Sequence, residues 1–564
     1  MKKLFLGIIF FIVIVLLCSC QHSTLDSALH TSSSGNALPP SASYSVFSHT
    51  SAISPKDTNP VGDPKDCANG YHVFDDPNDP AICSRCGYDF YATRLRYKLC
   101  ETGDSYIVTG VAGGRRTNIV IPDTYRDLPV TEIGDGAFLG EDALVSVVLP
   151  AGLKVIGEAA FSGCSVLEDI TIPQGVTTIN AWAFSYCKSL KQLELPDSLI
   201  YMGKGMIRSS RKLTSIRIPD GVTTIPSQFA MACSSLQTVY IGANVISIET
   251  SAFQSCKALE TIHWGNALET IMNSAFSSCI SLTSVALPQT VKQVYSGVFY
   301  LCTSLKDISI PETVEYVDAG AFTSCSALQC TVYKGMEYIG NADNPYLFLQ
   351  GVADPTITDA VLHEETRFIS DEIFQTETLV SVSVGKNVVN LPLIPRDRDT
   401  WPQIFLDPQN QKLHFSGNCL IRTKDKVLYF AFDDFTIPDD GSVTVIGPHA
   451  FAFMESAKSV IIPDCVTEIG TNAFIHCRNL EILVIGSGVK TIGIDILIDC
   501  EKLTSVYYNG TEEQWNALLS GMLNGNSILR GLTCYFYSET PPTEPGNYWH
   551  YVDGVPTPWE EADT

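Results

Sequence analysis

The chain has 564 residues, 36 Lys and Arg against 61 Asp and Glu, and a formal charge of −25. An acidic surplus of that size excludes a nucleic-acid partner, because phosphate binding needs clustered cations. An apolar fraction of 45% excludes a wholly disordered chain, and 19 cysteines over this length are too sparse for a disulfide-stapled mini-protein.

Lys2 and Lys3 precede an apolar run from Leu4 to Leu17. That run is short for a ~30 Å hydrocarbon core and suits the core of a signal peptide. Leu17-Cys18-Ser19-Cys20 resembles the bacterial lipobox. The resemblance implies that residues 1–19 are removed and that Cys20 carries a lipid thioether; secretion with Cys20 unmodified is the rival. A multi-acyl anchor contributes about 0.8 kcal/mol per buried CH₂ and would hold a soluble domain at the membrane, outside the cytoplasm. Residues 20–65 then read as a flexible tether, since Gln21–Pro60 holds 11 Ser, 4 Thr and 4 Pro. Such a composition cannot bury enough apolar surface to order itself.

Residues 66–92 form a small cysteine module. Cys67 and His72 stand before Cys83-Ser-Arg-Cys86-Gly87. Four N/S donors with a C-x₂-C turn suit tetrahedral zinc, and the glycine fits the knuckle. Cys67, His72, Cys83 and Cys86 are therefore the candidate ligands of a closed structural zinc site, similar to short ribbon-like modules that precede repeats in some surface proteins. A Cys83–Cys86 disulfide with His72 merely at the surface is the other arrangement.

A repeat occupies residues 100–331. Leu144 opens a series of nine leucines, each 23 residues after the last, ending at Leu328. Three residues before each, from Cys164 to Cys325, stands a cysteine, with Ser210 the exception. A turn former follows the leucine, as at Pro173, Pro196 and Gly242, and an aromatic precedes the cysteine, as at Phe161 and Phe184. In Leu167–Pro173 the apolar residues alternate as in a strand that proline ends. Gly175–Ile179 gives a second extended piece, and Ala183–Cys187 reads as one helical turn. One such coil cannot bury its own Leu, Ile and Phe, but stacked neighbours can.

The unit I-P-x-x-V-x-x-I-G-x-x-A-F-x-x-C-x-x-L, at Ile172–Leu190 and again at Ile462–Leu480, resembles the 23-residue leucine-rich repeat of bacterial BspA-like surface proteins. The resemblance spans roughly residues 118–508. It implies a mainly β chain with short helical turns, built as a curved right-handed leucine-rich-repeat solenoid. It also implies a cell-surface role in adhesion to, or recognition of, a host or neighbour-cell protein or glycan. The membrane is reached through the lipid anchor and the protein is expected to be a monomer. A passive envelope spacer is the rival function, and an enzyme sited in residues 332–450 a third.

Residues 332–450 depart from the ladder and predict longer coils or β-insertions, with a kink or side projection. Arg367–Val384 is still one recognisable coil. Phe229 sits one position early, which predicts a bulge. The ladder cysteines are expected to be free, buried thiols. Regular repeats return over 451–508. Residues 509–564 should cap the array with a helix opened by a Thr511/Gln514 capping box, a strand over Leu532–Tyr537 and a docked aromatic tail.

The motifs G-x-S-x-G, H-E-x-x-H, G-x-x-x-x-G-K-[ST] and G-x-G-x-x-G are absent from the sequence, so no enzyme and no cofactor beyond the zinc are expected. The candidate ligand face is the column four residues past each leucine. Glu194, Arg217, Tyr240 and His263 break its otherwise small and polar character on four consecutive units. A solvated face of ordinary variation is the alternative.

Overall fold

In the computed structural model the described residues are 95–112, 117–389, 391–392, 402–521, 526–543 and 546–559. All lie in the compact unit Cys67–Thr564. Cys20, the tether and the candidate zinc ligands Cys67, His72, Cys83 and Cys86 lie outside the described residues.

Each 23-residue unit makes one coil, and the coil beginning at Leu167 is representative. Asp169–Ile170 is a short strand, Pro173 turns the chain, and Thr178–Ile179 is a second strand. Leu167, Ile170, Val176, Ile179, Phe184 and Cys187 all point inward and are buried. Each contributes roughly 1–3 kcal/mol through burial that only the neighbouring coils provide.

Two parallel ladders result. The first runs through Asn118–Val120, Ser146–Val148 and Asp169–Ile170, then resumes at Ser215–Arg217, Thr238–Tyr240 and Thr261–His263. The second contains Leu128–Ile133, Val155–Ile156, Thr178–Ile179 and Tyr201–Met202, and later Thr224–Ile225 through Tyr316–Val317. At the start, Leu95–Leu99 pairs antiparallel with Tyr106–Val111 and covers the ladder edge.

The single helical turn expected at the back of the coil takes the form of consecutive tight turns. Ala160, Ser162 and Cys164 donate to carbonyls three residues back, while Ala159, Phe161 and Gly163 donate to Ala181, Ala183 and Ser185 of the next coil, each at 2.8 Å. The alternation requires left-handed backbone at Ala159 and Gly163, and the same two positions recur 23 residues on at Trp182 and Tyr186. For a non-glycine residue that conformation costs about 1–2 kcal/mol. The coil-to-coil hydrogen bonds, worth about 0.5–1.5 kcal/mol each, offset it.

No bulge forms at Phe229. Gln228 and Ala232 keep the left-handed positions of the period. Ile207 donates to the Phe229 carbonyl at 2.9 Å and Ala230 to the Ala252 carbonyl at 2.7 Å, in step with every other coil. Backbone pairing therefore holds the register and the ring gives way. Phe229 meets Phe253 edge-on at 5.9 Å and 76°, whereas Phe253 and Phe276 lie nearly flat at 5.3 Å and 9°.

The cysteine column has a polar task as well as a volume to fill. Cys187 Sγ donates to the Phe161 carbonyl at 3.2 Å, and Cys233, Cys256 and Cys279 repeat the contact 26 residues back. Ser210 makes the same contact to Phe184 at 2.9 Å, which explains why serine replaces cysteine there. All fourteen cysteines among the described residues are free thiols. Iodoacetamide on the native chain should therefore leave the ladder thiols unlabelled, and denaturation should expose them. Finding them oxidised in the denatured chain would refute the assignment.

The divergent segment contains two antiparallel three-stranded pieces. One comprises Thr331–Tyr333, Met336–Ile339 and Phe348–Val352; the other Leu413–Ser416, Cys419–Arg422 and Val427–Ala431. Between them Phe368–Ile369, a short 3₁₀ turn at Asp371–Gln375 and Ser381–Val384 make the single coil read from sequence. The segment has its own core cluster around Tyr338, Leu349, Val382 and Tyr429.

At the C-terminal end Thr511 and Gln514 form the capping box, with the Thr511 amide donating to Gln514 Oε1 at 2.9 Å and the Gln514 amide to Thr511 Oγ1 at 3.3 Å. They open the helix Glu512–Gly521, which buries Trp515. Thr533–Tyr537 then joins the sheet, and the tail hairpin Tyr548–Val552 with Val555–Pro558 extends it. Trp549 is fully buried and donates from Nε1 to the Tyr508 carbonyl at 3.0 Å. Pro556 and Pro558 lack N–H groups, so the last strand ends the sheet without inviting another.

Candidate functional site

Alternation sends every second side chain of the first ladder outward. In Ser215–Arg217 the central Ile216 is buried and its neighbours are exposed; Val239 and Tyr240 divide in the same way. Parallel pairing aligns Arg217 with Tyr240 and Tyr240 with His263. Three of the four candidate residues thus form one continuous exposed row. Tyr240 and His263 lie flat on each other with ring centroids 4.4 Å apart and planes 5° apart. Such stacking fixes both rings before any ligand arrives.

Arg217 is held from the preceding coil. Its Nη1 donates to Asp197 Oδ1 at 2.7 Å, and that hydrogen bond pushes the guanidinium pKa above its ordinary value. Both side chains are more than half exposed, so the pair orients the arginine without contributing much stability. Sequence reasoning missed Asp197, although its place directly after the turn former Pro196 offered the signal. Glu194 stands apart: it is exposed, but its coil contributes no strand to the first ladder at that point. The structure brings together Arg217, Tyr240 and His263 and does not pair Glu194 with them.

Among the described residues no group of three or more His, Cys, Asp or Glu side chains could hold a metal ion. No helix among them is long and apolar enough to cross a membrane.

The family pattern described as a BspA type leucine rich repeat region matches residues 115–237, 226–343 and 429–527, with six copies. Together these ranges take in more than half of the chain. Among solved structures, a leucine-rich repeat protein of T. pallidum is 31% identical over 34% of this chain and 89% of its own, with a TM-score of 0.32. A leucine-rich repeat protein from Bacteroides ovatus is 22% identical over 80% of this chain and all of its own, with a TM-score of 0.38. A leucine rich cell surface protein from Faecalibacterium prausnitzii is 22% identical over 75% of this chain and 96% of its own, with a TM-score of 0.34. No curated protein matches the chain.

Proposed function

The chain belongs to the BspA-type leucine-rich repeat family, and on that premise we propose that it is a lipid-anchored recognition protein of the bacterial cell surface. In this reading it is a monomer that binds an extracellular protein or glycan of a host or neighbouring cell. Cys20 carries the lipid, residues 20–65 are the tether, and Cys67, His72, Cys83 and Cys86 hold a closed structural zinc.

The observation that carries the reading is the exposed row of Arg217, Tyr240 and His263, with Tyr240 stacked at 4.4 Å on His263. Tyrosine and arginine dominate binding hot spots, and a ring already ordered by its neighbour loses little entropy when a partner covers it. Solenoids use such extended sheet faces for macromolecules.

The test is a screen of the unlipidated Cys20→Ser chain against immobilised matrix proteins and glycans. Replacing Arg217 and Tyr240 together by Ala should weaken the partner found by about a hundredfold or more, in line with ~2–4 kcal/mol for a hot spot. Unchanged affinity removes this column as the site. Failure to bind any partner favours the passive-spacer reading instead.

A further inference from the structure

We infer that the chain carries a second, independent site on the other ladder, a cleft that takes a neutral oligosaccharide. It lies where the last regular coils meet the hairpin Cys419–Arg422 and Val427–Ala431. The residues there surround an open cavity of about 920 Å³, within the size range of small-ligand pockets.

Its floor is two adjacent parallel strands. Gln293 and Tyr316 are register partners facing outward, while Val294 and Val317 beneath them are buried. Tyr295 follows on one coil and Asp318 on the next. The rings of Tyr295 and Tyr316 are half-buried, 5.5 Å apart and tilted by 53°. Tyr316 donates its hydroxyl proton to Asp318 Oδ2 at 2.8 Å, and Tyr295 donates to Gln293 Oε1 at 3.4 Å. Two aromatic faces are thus held in place, edged by an amide and a carboxylate.

The walls decide the ligand class. Arg422 forks onto Asp425 with contacts of 2.6 and 2.5 Å, and its remaining Nη1 donates to the Tyr429 hydroxyl. Arg367 donates to the Glu312 and Val314 carbonyls at 2.8 and 2.7 Å. Both guanidinium groups are therefore already engaged within the protein. The lining has as many acidic groups, four of them, as basic ones, Lys412 and Lys424 being the basic pair beside the two arginines. Burial is the main cause that holds the Asp371 carboxyl above its ordinary pKa. Neither a polyanion nor a polycation is favoured, because the acidic and basic lining groups balance and both arginines are already paired. A neutral polyol meets ring faces for its C–H surface and paired donors and acceptors for its hydroxyls. That combination identifies the ligand as a saccharide.

The probes are maltotriose, cellotriose, mannotriose and the trimer of N-acetylglucosamine, titrated into the purified full chain by calorimetry and saturation-transfer NMR. At least one should bind with Kd on the order of 0.1–1 mM. Tyr295→Ala and Tyr316→Ala should each weaken it about tenfold or more, which is a loss of ~1.4 kcal/mol. Loss of the half-buried Tyr316 ring also loosens its coil, so Gln293→Ala, which removes no ring, should weaken binding as well with an unchanged melting profile. Arg217→Ala with Tyr240→Ala should leave the saccharide affinity as it was, which separates this cleft from the strand-face site. No binding of any of the four, binding insensitive to Tyr295→Ala and Tyr316→Ala, or binding restricted to a carboxylated sugar such as a sialylated trisaccharide, would each overturn the proposal.

Discussion

Raising the pH from 8 to 10 should lower the melting midpoint of the repeat array by on the order of 10 °C, and the buried cysteine column should account for most of the fall. Burial pushes the thiols of Cys164, Cys233, Cys302 and Cys325 from 9.0 up to about 12. Their folded-state values lie above those of the unfolded chain, so the stability they contribute is complete below about pH 9. It is lost as the pH climbs from there toward 12, because the unfolded chain releases these protons first. At pH 10 the loss is about 1.4 kcal/mol per thiol, or roughly 5 kcal/mol for the four. Tyrosines add in the same direction; burial raises Tyr338 to about 12. The separating control is the variant with all four cysteines changed to serine. Ser210 already fills such a slot and keeps the carbonyl bond to Phe184. A serine does not titrate in this range, so the pH-dependent fall should shrink by about the thiol share. Circular dichroism melts showing the same fall in both proteins would remove these four thiols as its cause.

The parts legible in the sequence were those in which one side chain reports one slot of the core. Leu167, Phe161 and Cys164 each recur because most coils offer the same cavity to the same residue type, and the strands follow from alternation around Ile170 and Ile172. The capping box at Thr511 and Gln514 was equally local. What depended on neighbours was not legible. Phe229 suggested a displaced backbone, yet the coil-to-coil hydrogen bonds that hold it straight belong to other units. The left-handed turn was not legible either, because the column that adopts it carries Gly136 and Gly205 but also Trp182 and Gln228. Gly205 also makes room that no pattern reveals, since a Cβ there would lie 2.0 Å from Cζ3 of the Trp182 ring. In the candidate site, alternation placed Arg217, Tyr240 and His263 correctly on the outer face. It could not show that Glu194 would stand outside the ladder or that Asp197 would hold Arg217. The saccharide cleft joins residues more than a hundred positions apart, from Gln293 to Tyr429, and no periodicity links them.

Phe276→Ala should be the most damaging single core substitution of the regular coils. Phe276 is fully buried, flat against Phe253 at 5.3 Å and Phe299 at 5.7 Å, and edge-on to Trp264 at 5.7 Å. Truncating a buried phenylalanine costs about 3–5 kcal/mol, and each lost ring pair adds about 0.5–1.5 kcal/mol. Phe229→Ala should cost less, because that ring meets its neighbour only edge-on and no ring stands in the adjacent slot of Ile207. In a stack each coil rests only on the two beside it, so the damage should remain local. The coils around Phe451 and Phe474 pack into a separate core cluster that begins at Cys419. Hydrogen exchange on Phe276→Ala should therefore show protection lost across residues 253–299 and kept across 451–508, and the thermal melt should split into two steps. An equal loss of protection in both regions would mean that the array unfolds as one cooperative block, and that energetic coupling between its coils reaches much further than nearest-neighbour contact provides.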